Sequence, residues 1–459
     1  MRLKTSVLRN KINKDNIEKI VNEFLDYHLT YVKEIEDENM KDFYHYYLTK
    51  DLLVFDNEDF SNFFADMTTF HNTIIKKVVY HLMTQDVESL KKMQFSERMI
   101  EVLKKDFEMM NARLFEDIIL TYYGRFDFLV WPDDDTRMIE YNSETPAAFP
   151  ESVYSYPCIT KFLEINENEF EDINKWMENR LADSLERELD YIVENKSSVA
   201  VIFGLPEEGV IDPLHEDYIN AKQMTAFLKR KLPVEIDVRM IPVNMLDIDE
   251  EDNGNLIFWD ANENKHKIDV VWSFYPLEWL FEDEELARGD FQIWDSYMQG
   301  KFRFINRPIN LITQNKAFWA YIFEYVLENN ILSEREEAIV KRLLPSSSFT
   351  PKPNTIKKAL LFREGVGVDD NSWMFDNVPS IFQEKIEQQL FTIDTFYDNK
   401  ELYKNSFSGD GSGYQNGYYT IGAFFGEKWF IGIYTRFCER PVTDDTAYFI
   451  PAFLDKRYP

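Results

Sequence analysis

Cysteine is nearly missing from this chain; Cys158 and Cys438 are the only two. That excludes a disulfide framework and any thiolate zinc cluster, and it fits a reducing interior. Neither residue lies in a recognisable nucleophile motif, so each reads as a nucleophile or, more simply, as an ordinary buried residue. The six histidines (His28, His45, His71, His81, His215, His266) are scattered, with no ligand spacing. There is no GxxxxGK[ST] phosphate loop, no HExxH, no GxSxG elbow and no GxGxxG turn. No apolar run approaches the length of a membrane span. The start, MRLKTSVLRNKINKDN, is basic but lacks the apolar stretch that would follow in a signal peptide. A soluble cytoplasmic protein with no membrane partner is expected. Glycine is absent before Gly124, which fits long helices with few tight loops. Positive charge is also scarce: 51 Lys and Arg stand against 82 Asp and Glu, a net charge of −31. Nucleic-acid binding rests on phosphate neutralisation by Lys and Arg, so this balance argues against it. A cationic small molecule such as a polyamine would be drawn to the surface, although the same charge also serves solubility.

What the chain does have is bulk and apolar content. Its 459 residues exceed what one hydrophobic core holds, and 44% hydrophobic with 16% aromatic residues can fill large cores. Two or three domains, or one elaborated enzyme body, are expected. From about Lys14 to Asn111 the apolar spacing is helical, as in Ile17, Ile20, Val21, Phe24 and Leu25, or Phe60, Phe63, Phe64 and Met67. This part reads as scaffold, and the aromatic run Phe43, Tyr44, Tyr46, Tyr47 as its packing. Glu167 to Asn195 reads as one amphipathic helix. Ser198 to Leu205, Tyr218 to Leu232 and Val234 to Ile241 then read as strand, helix and strand, the signature of a parallel α/β unit. Further strands are expected at Leu256 to Asp260 and Lys267 to Phe274, and helices at Asn315 to Glu328 and Glu334 to Leu343. Strands follow at Ala359 to Phe362, Ser380 to Glu387, Gln389 to Thr395, Tyr418 to Phe425 and Trp429 to Phe437, with a Gly-rich loop at Ser406 to Gly413.

The most informative stretch is Gly124 to Asn142, GRFDFLVWPDDDTRMIEYN. Arg125 to Leu129 alternates polar and apolar, and Arg137 to Asn142 also suits a strand. Pro132, Asp133, Asp134 and Asp135 between them are turn formers. With Asp133 and Asp134 at the tip, Asp127 faces Glu140 and Arg125 faces Asn142. Directly opposed side chains have Cβ atoms about 5 Å apart, and two carboxylates that close repel unless a cation lies between them. Oxygens from Asp127, Glu140 and Asn142 suit Mg²⁺. A solvated surface hairpin is the competing reading of the same residues.

Basic residues on later strands are the other candidates. Arg363 sits where the strand from Lys358 runs into a turn containing Gly365 and Gly367, a place where a backbone can approach a phosphate; on pattern alone a solvated arginine on a β-turn is the simpler reading. Arg436 alternates with Tyr434 and Cys438 on an apolar strand, where a buried charge needs a partner. Glu278 ends the buried run Trp272 to Glu278 in the same way.

The hairpin resembles the R-x-D and E-Y-N signature of the glutathionylspermidine synthase family, in its synthetase domain and stand-alone relatives. Further pieces follow in that family's order. Trp272 to Glu278 is similar to its tryptophan-and-glutamate segment, and Gln314-Asn315-Lys316 to its N-K motif before a helix. Lys358 to Gly365 resembles its phosphate strand and loop, Phe382-Gln383-Glu384 its Y-Q-E segment, and Arg436 to Pro451 its closing segment. The resemblance implies an α+β fold: an ATP-grasp-type synthetase body with a helical N-terminal part and an inserted α/β subdomain. Its parts would be residues 1–115 as helical scaffold, 116–196 with the metal-site hairpin and following helix, 197–312 as the α/β subdomain, and 313–459 as the ATP-grasp lobes.

It also implies a reaction, in which ATP phosphorylates a carboxylate and an amine attacks the acyl phosphate. The family's best-known acid is glutathione and its amine spermidine. Asp127, Glu140 and Asn142 would hold Mg²⁺. Arg125, Arg363 and Arg436 would stabilise the transferring phosphoryl group. Arg125, Lys316, Lys358, Gly365, Gln383 and Glu384 would hold ATP, with Thr145 and Glu278 near the substrates. The chain departs from the family pattern at Ala359, Phe362, Ala147 and Ala452, and no lysine lies between Arg363 and Gln383. These departures leave a rival expectation, a degenerate nucleotide-binding member with a regulatory or interaction role.

Overall fold

The computed structural model describes residues 5–9, 51–129, 136–155, 165–205, 216–249, 251, 254–286, 292–361, 378–386, 388, 390–394, 414–438 and 447–457. The chain opens with β1 (Thr5–Arg9) and β2 (Asp51–Asp56). The helical reading of Lys14 to Asn111 fails at β2, and its part before Asp51 lies outside the described residues. The reason is tertiary. Leu52, Leu53, Val54 and Phe55 are all buried, and β2 pairs in parallel with β20 (Ala452–Asp455), so its continuous apolar run fills a sheet rather than one helix face. Helices do follow, at Asn57–Thr69, Lys76–Gln85 and Glu97–Met110. Asp56 caps the first by accepting from the Glu58 and Asp59 amides, and Ser96 caps the last by accepting from the Met99 amide.

The expected hairpin is present as β3 (Gly124–Leu129) and β4 (Arg137–Asn142). Residues 167–195 are not one helix: β5 (Phe170–Asp172) joins the sheet of β1, β2 and β20, and the helix begins at Met177. The parallel unit is built from β6 (Val199–Phe203), β7 (Val238–Pro242), β11 (Val270–Ser273) and β12 (Arg303–Phe304), in the order β12-β11-β6-β7. The helix Glu216–Lys231 connects β6 to β7. Between β7 and β11, a small antiparallel sheet holds β8 (Leu246–Asp249), β9 (Asn255–Trp259) and β10 (Lys265–Lys267).

Two more sheets complete the fold. One contains β13 (Ser347–Ser348), β14 (Thr355–Ala359) and β15 (Ser380–Glu384); the strand expected at Ala359 to Phe362 therefore starts earlier, on the alternating Thr355 to Ala359. The other has the order β19-β18-β17-β3-β4, with β16 also on β17. Its members are β16 (Phe391–Asp394), β17 (Tyr414–Phe425), β18 (Phe430–Cys438) and β19 (Tyr448–Phe449). The hairpin is thus welded to strands some 300 residues downstream. One core packs the helices of residues 57–110 against Phe126, Phe128, Met138 and Tyr141 on the back of the hairpin; a second joins Tyr123, Leu181, Val201, Trp272 and Phe424. Among the described residues no helix is long and apolar enough to cross a membrane. The Gly-rich loop and Cys158 lie outside the described residues, and Cys438 is buried.

Candidate active site

Alternation decides which hairpin residues meet. Phe126 and Tyr141 point back and stack at 3.7 Å between ring centroids, so Arg125, Asp127, Glu140 and Asn142 share the front. Arg125 lies opposite Asn142 and Asp127 opposite Glu140, the register that a tip at Asp133 and Asp134 requires. Beyond Asp127 the register slips: Phe128 pairs with Met138, which leaves Ile139 as a bulge. The slip has a use. The Ile139 carbonyl accepts a hydrogen bond of 3.2 Å from Lys358 Nζ, which ties β14 to the hairpin. The tip itself lies outside the described residues.

Asp127 is fully buried and held by two arginines. Arg125 donates through Nε to Oδ1 at 2.7 Å and through Nη2 to Oδ2 at 3.0 Å; Arg436 Nη2 donates to Oδ2 at 3.0 Å. Burial pushes the Asp127 carboxyl above its ordinary value, while Arg125 and Arg436 pull the other way. All three bonds need an acceptor, so the ionised form is the one this geometry holds. Arg125 also donates to the Ala147 carbonyl at 2.9 Å. Both guanidinium carbons lie over the Tyr434 ring, at 5.6 Å for Arg125 and 5.4 Å for Arg436.

Glu140 is the more open carboxylate. Asn142 Nδ2 donates to its Oε1 at 3.2 Å, and Lys316 Nζ stands 4.0 Å from its Oε2. Burial alone would raise its pKa, but Lys316, Arg125, Lys358 and Arg436 outweigh that and hold it down to about 2. Lys358 moves the opposite way: burial, then the charge of Lys316, push it down to about 8 against the attraction of Glu140. The Lys316 amide donates to the Leu360 carbonyl at 3.0 Å, which is why the two lysines share one spot. Arg125, Asp127, Glu140, Asn142, Lys316, Lys358 and Arg436 are therefore joined by contacts on one face. Four cations around two carboxylates can hold a polyanion, and the oxygens of Asp127, Glu140 and Asn142 are the hard donors a divalent cation takes.

The other candidates divide. Gln383 is buried on β15 opposite Ile356, so it shares a sheet face with Lys358, and its Nε2 donates to Ser347 Oγ at 3.3 Å. Glu384 points to the other face and is exposed, with its carboxylate on the Ser346 amide. Thr145 is half-buried in a segment pinned on both sides: the Ser143 amide donates to Gln314 Oε1, Asn306 Nδ2 donates to the Glu144 carbonyl, and Arg125 holds Ala147. Glu278 is buried at the start of the helix Leu277–Leu286, beyond the carboxyl end of β11, in the α/β unit rather than on the hairpin. Arg363 and Gly365 lie outside the described residues. Among the described residues no three His, Cys, Asp or Glu side chains cluster as a metal site; the hairpin offers two carboxylates and one amide.

Sequence reading missed Gly422, Tyr434 and His71. Gly422 had a signal, a glycine inside an apolar strand. Tyr434 alternates with Arg436, but nothing local says that Arg125 reaches it. His71 supports the back of the site, with Nε2 at 3.1 Å from the Tyr141 hydroxyl, and no spacing foretells that contact.

A family model described as glutathionylspermidine synthase preATP-grasp matches residues 9–455. No curated protein matches the chain. A solved structure described as a putative gamma-glutamylcysteine synthetase from Methylobacillus flagellatus KT is 11% identical, with a TM-score of 0.32 over 83% of this chain and 85% of that one. A likeness that distant carries no argument here.

Proposed function

The chain belongs to the glutathionylspermidine synthase preATP-grasp family, with its α+β ATP-grasp-type synthetase fold and ligase-type activity, and from that premise we propose that it is an ATP- and Mg²⁺-dependent ligase joining a small carboxylic acid to an amine. The observation that carries the reading is the convergence of Arg125, Lys316, Lys358 and Arg436 on the carboxylates of the hairpin. In the proposed reaction the acid's carboxylate receives the γ-phosphoryl group of ATP. The amine nitrogen then attacks the acyl carbon, phosphate leaves, and an amide remains.

The donor set fits Mg²⁺. Glu140 stays ionised, Asn142 uses its NH₂ on Glu140 and keeps its amide oxygen, and Asp127 Oδ1, which accepts one bond where Oδ2 accepts two, keeps a second lone pair. Asp127, Glu140 and Asn142 would hold the ion, which when bound neutralises phosphate charge. Lys316 and Lys358 hold the polyphosphate. Arg125 and Arg436, together with Arg363, stabilise the charge on the transferring group, where such clamps supply most of the catalysis. Gly365 and Gln383 complete the nucleotide site, with Thr145 and Glu278 meeting the substrates; the Glu384 carboxylate, turned to the other face of the sheet, is left out of it. A peptide acid such as glutathione and a cationic amine such as a polyamine are the proposed classes; the net charge of −31 favours the amine.

The test is ADP release in a matrix of peptide acids and amines. Glu140→Gln should lower turnover by about 10²-fold, the scale of losing one charge stabiliser. Tight ATP binding without ADP from any pair would instead favour the regulatory reading, which the lysine-free stretch between Arg363 and Gln383 supports.

Lys358→Met provides a second check. The cost of burying the ammonium beside Lys316, fully present below about pH 8, is offset by its bond to the Ile139 carbonyl and its attraction to Glu140, so the ligand-free protein should stay within about 1 kcal/mol of wild type at pH 7 while its affinity for Mg·ATP falls. Thermal denaturation and titration calorimetry read the two effects. A variant that loses stability and keeps its affinity would remove Lys358 from the site.

A further inference from the structure

Arg125 starts on β3 opposite Phe424 of β17, yet its guanidinium ends over Tyr434 of β18. To get there it must cross β17. It crosses at Gly422, which pairs with Asp127 on one side and with Tyr434 on the other. A Cβ at Gly422 would stand 2.7 Å from Arg125 Cδ, 3.1 Å from its Cγ and 3.1 Å from Asp127 Oδ1. The first distance is closer than real Cβ atoms approach. Other glycines on or just beyond these strands are tight for different reasons: Gly417 meets the Cys438 backbone, Gly426 meets Ser184 and Gly432 meets Met177. Gly422 alone among these meets side chains of the candidate site.

We propose that Gly422 and Tyr434 are positioning residues for the phosphate-binding arginines, Gly422 as the slot through which Arg125 crosses the sheet and Tyr434 as the shelf on which both guanidiniums rest. The proposal rests on the reading of Arg125 and Arg436 as phosphate-binding groups. The physical need is clear. Two like charges share the single carboxylate of Asp127, and the face of an aromatic ring attracts each of them. Asp127 fixes the donor edges and Tyr434 fixes the plane, so the arginines are aimed before any phosphate arrives. Misplacing such a group by about 1 Å can cost 10²-fold in rate.

A double-mutant cycle tests this. Wild type, Gly422→Ala, Arg125→Ala and the double variant are compared in melting temperature without ligand and in affinity for Mg·ATP. Gly422→Ala should lower the melting temperature and weaken Mg·ATP at least tenfold. In the Arg125→Ala background the same substitution should cost little in either measurement, because the clashing side chain is gone. Equal losses in both backgrounds, or no loss in wild type, would overturn the proposal. Failure of wild type to bind Mg·ATP would sink the nucleotide reading, while the melting temperatures still decide the Gly422–Arg125 contact. Should Gly422→Ala not fold, recovery of folding in the double variant supports the slot, and failure of both to fold counts against it. For the shelf, Tyr434→Phe keeps the ring face and should bind within about threefold of wild type, whereas Tyr434→Leu should lose at least tenfold. Equal effects of the two would overturn the shelf.

Discussion

Replacing Asp127 by alanine should destabilise the fold by roughly 3–5 kcal/mol, the usual cost of removing one partner from a buried ion pair, and should abolish ADP release. The side chain of Asp127 is fully buried, and those of Arg125 and Arg436 are only 9% and 17% exposed. Without the carboxylate, two guanidiniums stand side by side over one ring with nothing between them. Loss of the repulsion between Asp127 and Glu140 offsets part of this, but a partly exposed neighbour across the ladder is worth less than three charge-assisted hydrogen bonds. Asp127→Asn keeps an acceptor and should lose less stability than alanine, yet still lose turnover, because the charge that aligns both arginines is gone. Urea unfolding and ADP release separate the two effects. An alanine variant that loses under 1 kcal/mol and still turns over would show that the arginine pair needs no anion.

Acidification should strike the back of the same hairpin. His71 is fully buried between Asn72 and Tyr141: Nδ1 lies 2.7 Å from Asn72 Oδ1 and Nε2 lies 3.1 Å from the Tyr141 hydroxyl. Its Nδ1–H donates to Asn72, so Nε2 accepts from Tyr141 and the neutral ring satisfies both neighbours. Burial, opposed by the Asn72 bond and reinforced by the Lys76 charge, pushes its pKa down to about 3. The unfolded chain titrates near 6.5 and so binds the proton first as pH falls. The stabilisation is complete above about pH 6.5 and is lost progressively as pH drops toward 3, by up to roughly 5 kcal/mol. His71→Gln should flatten this slope while lowering stability at pH 7.5. Urea midpoints at pH 7.5 and 5 for both proteins make the comparison. An unchanged slope in the variant would assign the acid sensitivity to other groups.

The candidate site was legible wherever local chemistry settled the geometry. Turn formers at Pro132 to Asp135 and strict alternation from Arg125 placed Asp127 against Glu140 and Arg125 against Asn142, as the ladder has them. Ordered motifs brought in Lys316, Lys358 and Arg436, which contact the hairpin. What escaped was set by partners far away in the chain. The bulge at Ile139 answers to Lys358, and Gly422 answers to a side chain on another strand. In the same way, Asp51 to Asp56 became a strand because β20 waits about 400 residues later, a pairing that overrides local helical spacing. The parallel unit around β6 and β7 was easier, since strand, helix and strand are adjacent in the chain.

That distant pairing bears on how the protein is made. At about 5–20 residues per second, a ribosome needs roughly 20–80 s to pass from β2 to β20. Throughout that interval β2 lacks its parallel neighbour, and until shortly before its end the hairpin lacks both β17 and the second arginine of Asp127. The nascent chain therefore carries a buried-type strand, Leu52 to Phe55, with one edge open, and such edges are where unwanted pairing begins. Final assembly of this enzyme is a late event that waits for the last strands, and a folding helper that shields the early ones would have its longest task here.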